Sequence, residues 1–156
     1  MSAPSAIATV TSTLRNLLTQ AAHEDPELLD TTVTTQPPSV ARNGNEANQL
    51  NLFLFGISVD TAFSNSPMPG QVKHGESGMP PLALELRYLI TAYGRNDDDI
   101  SGHRLMGRSM SALHDHPLLG RSEIEAALPD TDLHNQVERV RITPNILSVD
   151  DMSKLW

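Results

Sequence analysis

Between Pro80 and Gly94 the chain reads PPLALELRYLITAYG, and its two-residue alternation leaves few choices of fold. In an extended chain Leu82, Leu84, Leu86, Tyr88 and Ile90 point to one side, and Ala83, Glu85, Arg87, Leu89 and Thr91 to the other. This is the pattern of a long, half-buried β-strand, in which hiding each of the three leucines contributes about 1.5–3 kcal/mol. Glu85 and Arg87, two apart on the opposite face, need water or each other. The strand belongs to a sheet with one face on a core and the other partly wet. The residues before it read as sheet it can join, and those after it as helices that can cover it.

Gln49 to Asp60, QLNLFLFGISVD, alternates Leu50, Leu52 and Leu54 against Asn51, Phe53 and Phe55. Apolar on both faces in its middle, it predicts a second long strand inside the sheet, with Gly56 marking a bulge or a close approach. Thr31 to Thr35, TTVTT, is rich in β-branched residues and closes on Pro37-Pro38, the signature of a short edge strand. Ahead of it Ile7, Val10, Leu14, Leu17, Leu18 and Ala21 recur at helical spacing, predicting an amphipathic helix from Ser5 to Ala22 that Pro26 prevents from continuing. Arg42 to Asn48 is polar loop. Ser64 to Pro81, with four prolines and three glycines, is a connection longer than compact domains commonly use.

Beyond Gly94 the polar corner Asn96 to Asp99 leads into a helix from Ser101 to His116, capped by Asp99 or Ser101 and stopped at Pro117. Met106, Met110 and Leu113 are its expected core face. Ser122 to Leu128 predicts a short helix with Ser122 and Glu125 as its capping box and Pro129 as its stop. From Val140 to Thr143 alternation predicts a strand that ends at Pro144, with Val140 and Ile142 opposite Arg139 and Arg141. Ser148 to Leu155 has a capping serine, two acids in its first turn and Lys154 in its last, which suits the helix dipole. No internal repeat is present. At 156 residues these elements make one domain, residues 1–156, of the α/β (α+β) class, with a mixed central sheet flanked by helices.

The formal net charge is -8 and the 11 basic residues are scattered, so there is no electrostatic footprint for a nucleic-acid backbone or an anionic membrane. The most apolar window, Leu50 to Val59, falls far short of the ~20 residues a membrane helix needs. The first residues, MSAPSAIATVTSTLR, lack the basic start of a secretory signal. The chain has no cysteine, which excludes disulfides and thiolate sites and suits a reducing cytoplasm.

Gly102 to Ser109, GHRLMGRS, nearly matches the phosphate-binding loop G-x-x-x-x-G-K-[ST]. Arg108 stands where the lysine belongs, the loop positions are bulky, and three aspartates just upstream repel phosphate. The bland alternative is a plain helix with two tolerated glycines. His114-Asp115-His116 beside His103 resembles a metal set, but helical neighbours two apart face away from each other, and histidines at a helix end commonly bond its free carbonyls. No G-x-S-x-G elbow occurs, and the carboxylate pairs suit caps and turns. The residues supply no catalytic, cofactor or metal-binding set.

Taken together, LNLFLF (Leu50 to Phe55), PPLALELRYLITAYG, HRLMGRSMSALHDHP (His103 to Pro117) and VRITPNILSVDDMSKLW (Val140 to Trp156) resemble the N-terminal domain of cap proteins of contractile injection systems, which are phage-tail-like particles. The resemblance implies a tail-terminator-like fold that assembles as a hexameric ring at the particle apex, ends the inner tube and holds the last sheath layer. It implies partners among copies of itself, sheath subunits and the inner tube or tube-end protein. It also implies production in the bacterial cytoplasm as part of the particle, and it brings no catalytic motif. The side chains expected to meet those partners are Asn51, Phe53, Phe55, Glu85, Arg87, Arg139, Arg141, Lys154 and Trp156. Family members continue past Lys154 to Trp156 with more helix and a further strand. Either this chain is a shortened form, or its sheet lacks a strand and presents an open edge to another chain. The alternatives are a nucleotide-binding domain or enzyme using Gly102 to Ser109, and a monomeric adaptor that binds one peptide strand.

Overall fold

The computed structural model describes residues 5–60, 82–128, 133–135 and 139–155. Its framework is a three-stranded mixed sheet with the order β1-β2-β3. Strand β1 (Thr32–Thr34) runs parallel to β2 (Gln49–Val59), and β2 runs antiparallel to β3 (Leu84–Tyr93). The edge position of β1, the central position of β2 and the alternation of β3 match the expected sheet. The register shifts between Leu54 and Gly56, so the predicted bulge at Gly56 is present. The Ser64 to Pro81 connection, Pro129 and Trp156 lie outside the described residues.

Among the described residues five α-helices accompany the sheet: α1 (Ala6–His23), α2 (Pro38–Ala41), α3 (Asp99–Asp115), α4 (Arg121–Ala127) and α5 (Val149–Leu155). Leu14 and Leu18 of α1, Leu50 and Leu52 of β2, Leu105 of α3 and Ile124 of α4 share one buried cluster. Helix α1, which precedes the sheet in the chain, thus supplies much of the cover expected from helices that follow it.

Three helical details differ from expectation. On α3 the buried positions are Gly102, Leu105, Ser109 and Ala112, while Met110 is 65% exposed. The face is rotated in part: Gly102 brings the start of the helix close to the end of β3, where an added β-carbon would lie 3.2 Å from Gly94 N, while Leu113 of the expected face does pack on the core. The cap of α3 is Asp98, whose carboxylate accepts from Ser101 N at 3.0 Å and from Ser101 Oγ at 2.6 Å. On α4 the cap residue is Gly120, whose N–H donates to Glu123 Oε2 at 2.7 Å. Glycine has no side chain to return the bond, so only half of a capping box forms, two residues before the expected one.

Residues 140–143 do not form a strand. Leu119 N donates to Val140 O at 3.0 Å and Ile142 N to Pro117 O at 2.9 Å, a single isolated bridge between Leu118 and Arg141. The alternation survives: Val140 and Ile142 pack on the core, while Arg139 and Arg141 are exposed. Helix α5 is capped as expected, with Asp151 N donating to Ser148 Oγ at 3.2 Å.

The apolar face that β3 continues is not covered along its whole length. Tyr88, Ile90 and Ala92 pack against the core together with Leu86, but Leu82 is 57% exposed. Among the described residues no helix covers that end of the strand pair, where Ile57 and Val59 of β2 are also about half exposed.

Candidate interaction surface

The corner between β3 and α3 sets where the sheet's face and edge are presented. Asn96 (φ 52) and Asp97 (φ 59) are both left-handed, a conformation that Asn and Asp adopt at least cost among non-glycine residues. Arg95 N donates to Asn48 Oδ1 at 2.9 Å, and Asn48 Nδ2 donates to Asp30 Oδ1 at 2.8 Å. Arg95 closes the circuit on Asp30 at 2.9 Å. Burial pushes the Asp30 carboxyl up, but the Asn48 amide and the Arg95 guanidinium outweigh it and hold it below the usual aspartate range. Arg42 donates to Gly94 O at 2.8 Å and to Ala47 O at 2.6 Å, and lies over the Tyr93 ring. Sequence reasoning missed this set, since Asn48 and Arg95 sit in stretches that read only as polar loop.

On the sheet face away from the long helices, β2 and β3 place Asn51 opposite Thr91, Phe53 opposite Leu89, Gly56 opposite Arg87 and Ser58 opposite Glu85. Asn51 is fully buried. Its Oδ1 accepts from Thr34 Oγ1 at 2.8 Å and from Gln36 N at 3.1 Å, and its Nδ2 donates to Gln36 O at 2.8 Å. Every polar atom of its side chain is thus engaged inside the domain, and Asn51 leaves the set of expected partner-facing residues; its work is to fasten β1 to β2. Beside it Gln49 donates to Ala41 O at 2.6 Å and to Thr34 Oγ1 at 2.9 Å.

The structure does bring Phe53, Phe55, Glu85 and Arg87 together on that face. The two phenylalanines are half-buried, and Glu85 and Arg87 are exposed. Arg87 Nη2 lies 3.2 Å from Glu85 Oε2, which also accepts from Ser58 Oγ at 3.1 Å. The guanidinium first, then the hydroxyl, lowers the Glu85 carboxyl. A β-carbon at Gly56 would meet the Arg87 stem at 3.5 Å, so the bulge seats that arginine across the sheet. Arg139 and Arg141 lie exposed on the bridged segment, and Lys154 is exposed on α5, 4.0 Å from Asp151. These three do not join the sheet-face group. Trp156 lies outside the described residues.

The opposite edge of β3 has no strand partner among the described residues. A ten-residue strand paired on one side carries a row of main-chain donors and acceptors available for pairing.

No comparable arrangement for small-molecule chemistry is found among the described residues. The two best-formed hollows hold about 210 and 230 Å³, below the usual range for ligand sites. Gly102 to Ser109 lies wholly within continuous helix α3, so the loop that would cradle a phosphate is not formed. Arg108 donates to Ala21 O at 3.0 Å and pairs with Glu24, and Arg104 reaches Asp25 at 2.7 Å and Glu27. Arg108 ties α3 to the end of α1, and Arg104 ties it to the turn that follows. His116 Nδ1 lies 2.9 Å from Ala112 O, the helix-end role expected of it, and no group of three metal-ligating side chains occurs among the described residues. No described helix is long and apolar enough to cross a membrane.

The described residues thus define an α+β domain, helices on a three-stranded mixed sheet, whose β3 edge has no strand partner among them. Residues 9–156 match the family model described as the Pvc16 N-terminal domain, and the chain belongs to that family, which is associated with phage-tail-like contractile injection systems. No curated protein matches the chain.

Proposed function

We propose that this domain is a cap. Assembled as a hexameric ring at the apex of a contractile injection system, it terminates the inner tube and anchors the last layer of sheath. Its role is structural, without a reaction of its own. A tail-terminator works by occupying the position where the next ring would stack, and a sixfold ring needs two different surfaces per subunit that match head to tail. The observation that carries the reading, beside family membership, is the edge of β3 that has no strand partner among the described residues. An extended arm from a sheath subunit can add there as a fourth strand, with main-chain hydrogen bonds holding it and alternate side chains setting its register. Phe53, Phe55, Glu85 and Arg87 on the adjoining face, and Arg139, Arg141 and Lys154 elsewhere, are the side chains left to meet partners. The domain is made in the cytoplasm of the producing bacterium with the rest of the particle.

Deleting the gene and imaging particles by electron microscopy tests this. The expected result is tubes of uncontrolled length or sheaths that fail to hold; normal particles would refute the cap role. The same free edge favours a second reading, a monomeric adaptor that binds a single peptide strand. Visualising the particle apex separates the two: six copies in a ring support the cap, and a lone copy on an extended peptide supports the adaptor.

A further inference from the structure

Asn43 and Gly44 form the tip of the connection between α2 and β2. Both are exposed, and both have positive φ, 32° and 77°. Asn45 N donates to Arg42 O at 2.7 Å and closes the turn. Two central residues with positive φ make the kind of tight turn for which Asn-Gly is the favoured pair. Asn-Gly is also the dipeptide in which an asparagine most readily loses its side-chain amide, because glycine carries no β-carbon to screen the main-chain nitrogen that attacks it. The chain contains this pair once.

The fold holds the neighbouring asparagines and leaves this one open. Beyond its chain neighbours, a β-carbon at Gly44 would meet nothing within 4 Å. Asn48 and Asn51 are buried, and their amides donate to Asp30 and to Gln36 O. Asn45 Oδ1 accepts from Ala47 N at 3.0 Å. The flanks of the turn are anchored: Arg42 donates to Ala47 O and Gly94 O, and Glu46 O accepts from Asn96 N at 2.8 Å. Opening the tip breaks the Asn45 to Arg42 hydrogen bond and leaves those anchors in place, a local event that needs no unfolding of the domain.

We propose that Asn43 is a site of self-modification, converted without an enzyme to aspartate and isoaspartate. In the opened turn Gly44 N gives up its proton to a solvent base such as hydroxide and attacks Cγ of Asn43. The N–Cγ bond forms, the Cγ–Nδ2 bond breaks, and Nδ2 takes up a proton and leaves as ammonia, which closes a five-membered imide. Water then adds to one of the two imide carbonyls. If the new N–Cγ bond breaks, position 43 becomes aspartate. If the bond from that nitrogen to the main-chain carbonyl carbon breaks, the product is isoaspartate, with the chain rerouted through the former side chain. Either product carries one more negative charge than the amide it replaces.

The effect falls on the corner between β3 and α3. Position 43 adjoins Arg42, whose guanidinium lies 3.2 Å from Asp97 Oδ1 and over the Tyr93 ring. A carboxylate one residue away competes with Asp97 for that cation. Isoaspartate also lengthens the main chain between Arg42 and Asn45, so the turn's hydrogen bond is lost and the hold of Arg42 on Gly94 O loosens.

The test incubates the full chain in warm, mildly alkaline buffer, with Asn43→Gln and Gly44→Ala alongside, and digests each beside an unincubated sample. Fragment-ion mass spectrometry reads the mass shift of an amide turned acid at each asparagine and identifies the isoaspartyl linkage. Conversion at position 43 is expected to be at least about tenfold faster than at Asn45, Asn48 or Asn51, and to slow at least about tenfold in Gly44→Ala, whose β-carbon screens the attacking nitrogen. Asn43→Gln, which would need a six-membered ring, is expected to keep its amide. The converted native chain, separated by anion exchange, is expected to lose amide-exchange protection at residues 94–98. Conversion at position 43 no faster than at the other three asparagines would overturn the proposal, and unchanged protection would overturn its link to the corner. Both readouts use the isolated chain, so either failure leaves the cap role to be judged by the gene deletion.

Discussion

Gly94 and Gly102 meet backbone against backbone where β3 turns into α3. A β-carbon on Gly94 would lie 2.8 Å from Gly102 N and 1.8 Å from Asp98 O, and one on Gly102 would lie 3.2 Å from Gly94 N. The contact brings the start of the helix onto the end of the strand, and so decides how much of β3 the helix covers and how much is left to project.

Substitution at Gly94 of the corner and at Gly107 of α3 should separate the two glycines by role. Gly94→Ala forces the corner apart, with an expected loss of about 1–3 kcal/mol. Gly107, where an added β-carbon meets nothing within 4 Å, should gain roughly 0.5–1 kcal/mol as alanine through helix propensity. Urea denaturation followed by circular dichroism measures both. Equal effects would show that the corner is not close-packed.

The rotated face of α3 makes a paired prediction. Leu105→Ala empties a fully buried position and should cost about 2–5 kcal/mol. Met110→Glu, on the solvent side, should stay within about 0.5 kcal/mol of the native protein. The reverse order in thermal denaturation would restore the methionine face.

Asn51→Ala leaves Gln36 N and Gln36 O without their partner beneath the edge strand. The expected cost is about 1–3 kcal/mol, with the loss of amide-exchange protection concentrated in residues 32–36. Uniform loss across the sheet would contradict the fastening role of Asn51.

The Asp30 carboxyl should set part of the acid response. Its ionisation is favoured in the fold, so its contribution is present in full above the unfolded-state value near pH 4 and is lost as pH falls through the lower folded value. Asp30→Asn is expected to be less stable than the native chain at pH 7, with the difference shrinking below about pH 4. Denaturation midpoints across pH 2–7 check this, and a difference that grows on acidification would reverse the sign of the argument.

Much of the framework was legible because periodicity is a local property. The alternation of Leu50 to Phe55 and of Leu84 to Ile90 identified β2 and β3, and the helical spacing from Ile7 to Ala21 identified α1. Gly56 announced its bulge, and Ser148 its cap. Of the side chains expected to meet partners, Phe53, Phe55, Glu85 and Arg87 do share a face, since strand parity alone places them there. Asn51 has the same parity and is buried, because parity says which way a side chain points and not what the chain lays over it.

By itself, then, the sequence determined the class of fold, the order of its strands along the chain and the helical state of its amphipathic stretches, all of which follow from patterns repeated every two or every three to four residues. Only the tertiary structure decided which side of α3 is buried, that residues 140–143 make one bridge and no strand, and that the core-side face of the β2–β3 pair is exposed at Ile57, Val59 and Leu82. Those outcomes depend on how closely distant backbones approach, at Gly94 and Gly102 above all, and on where one layer stops short of another, distances that no local pattern encodes.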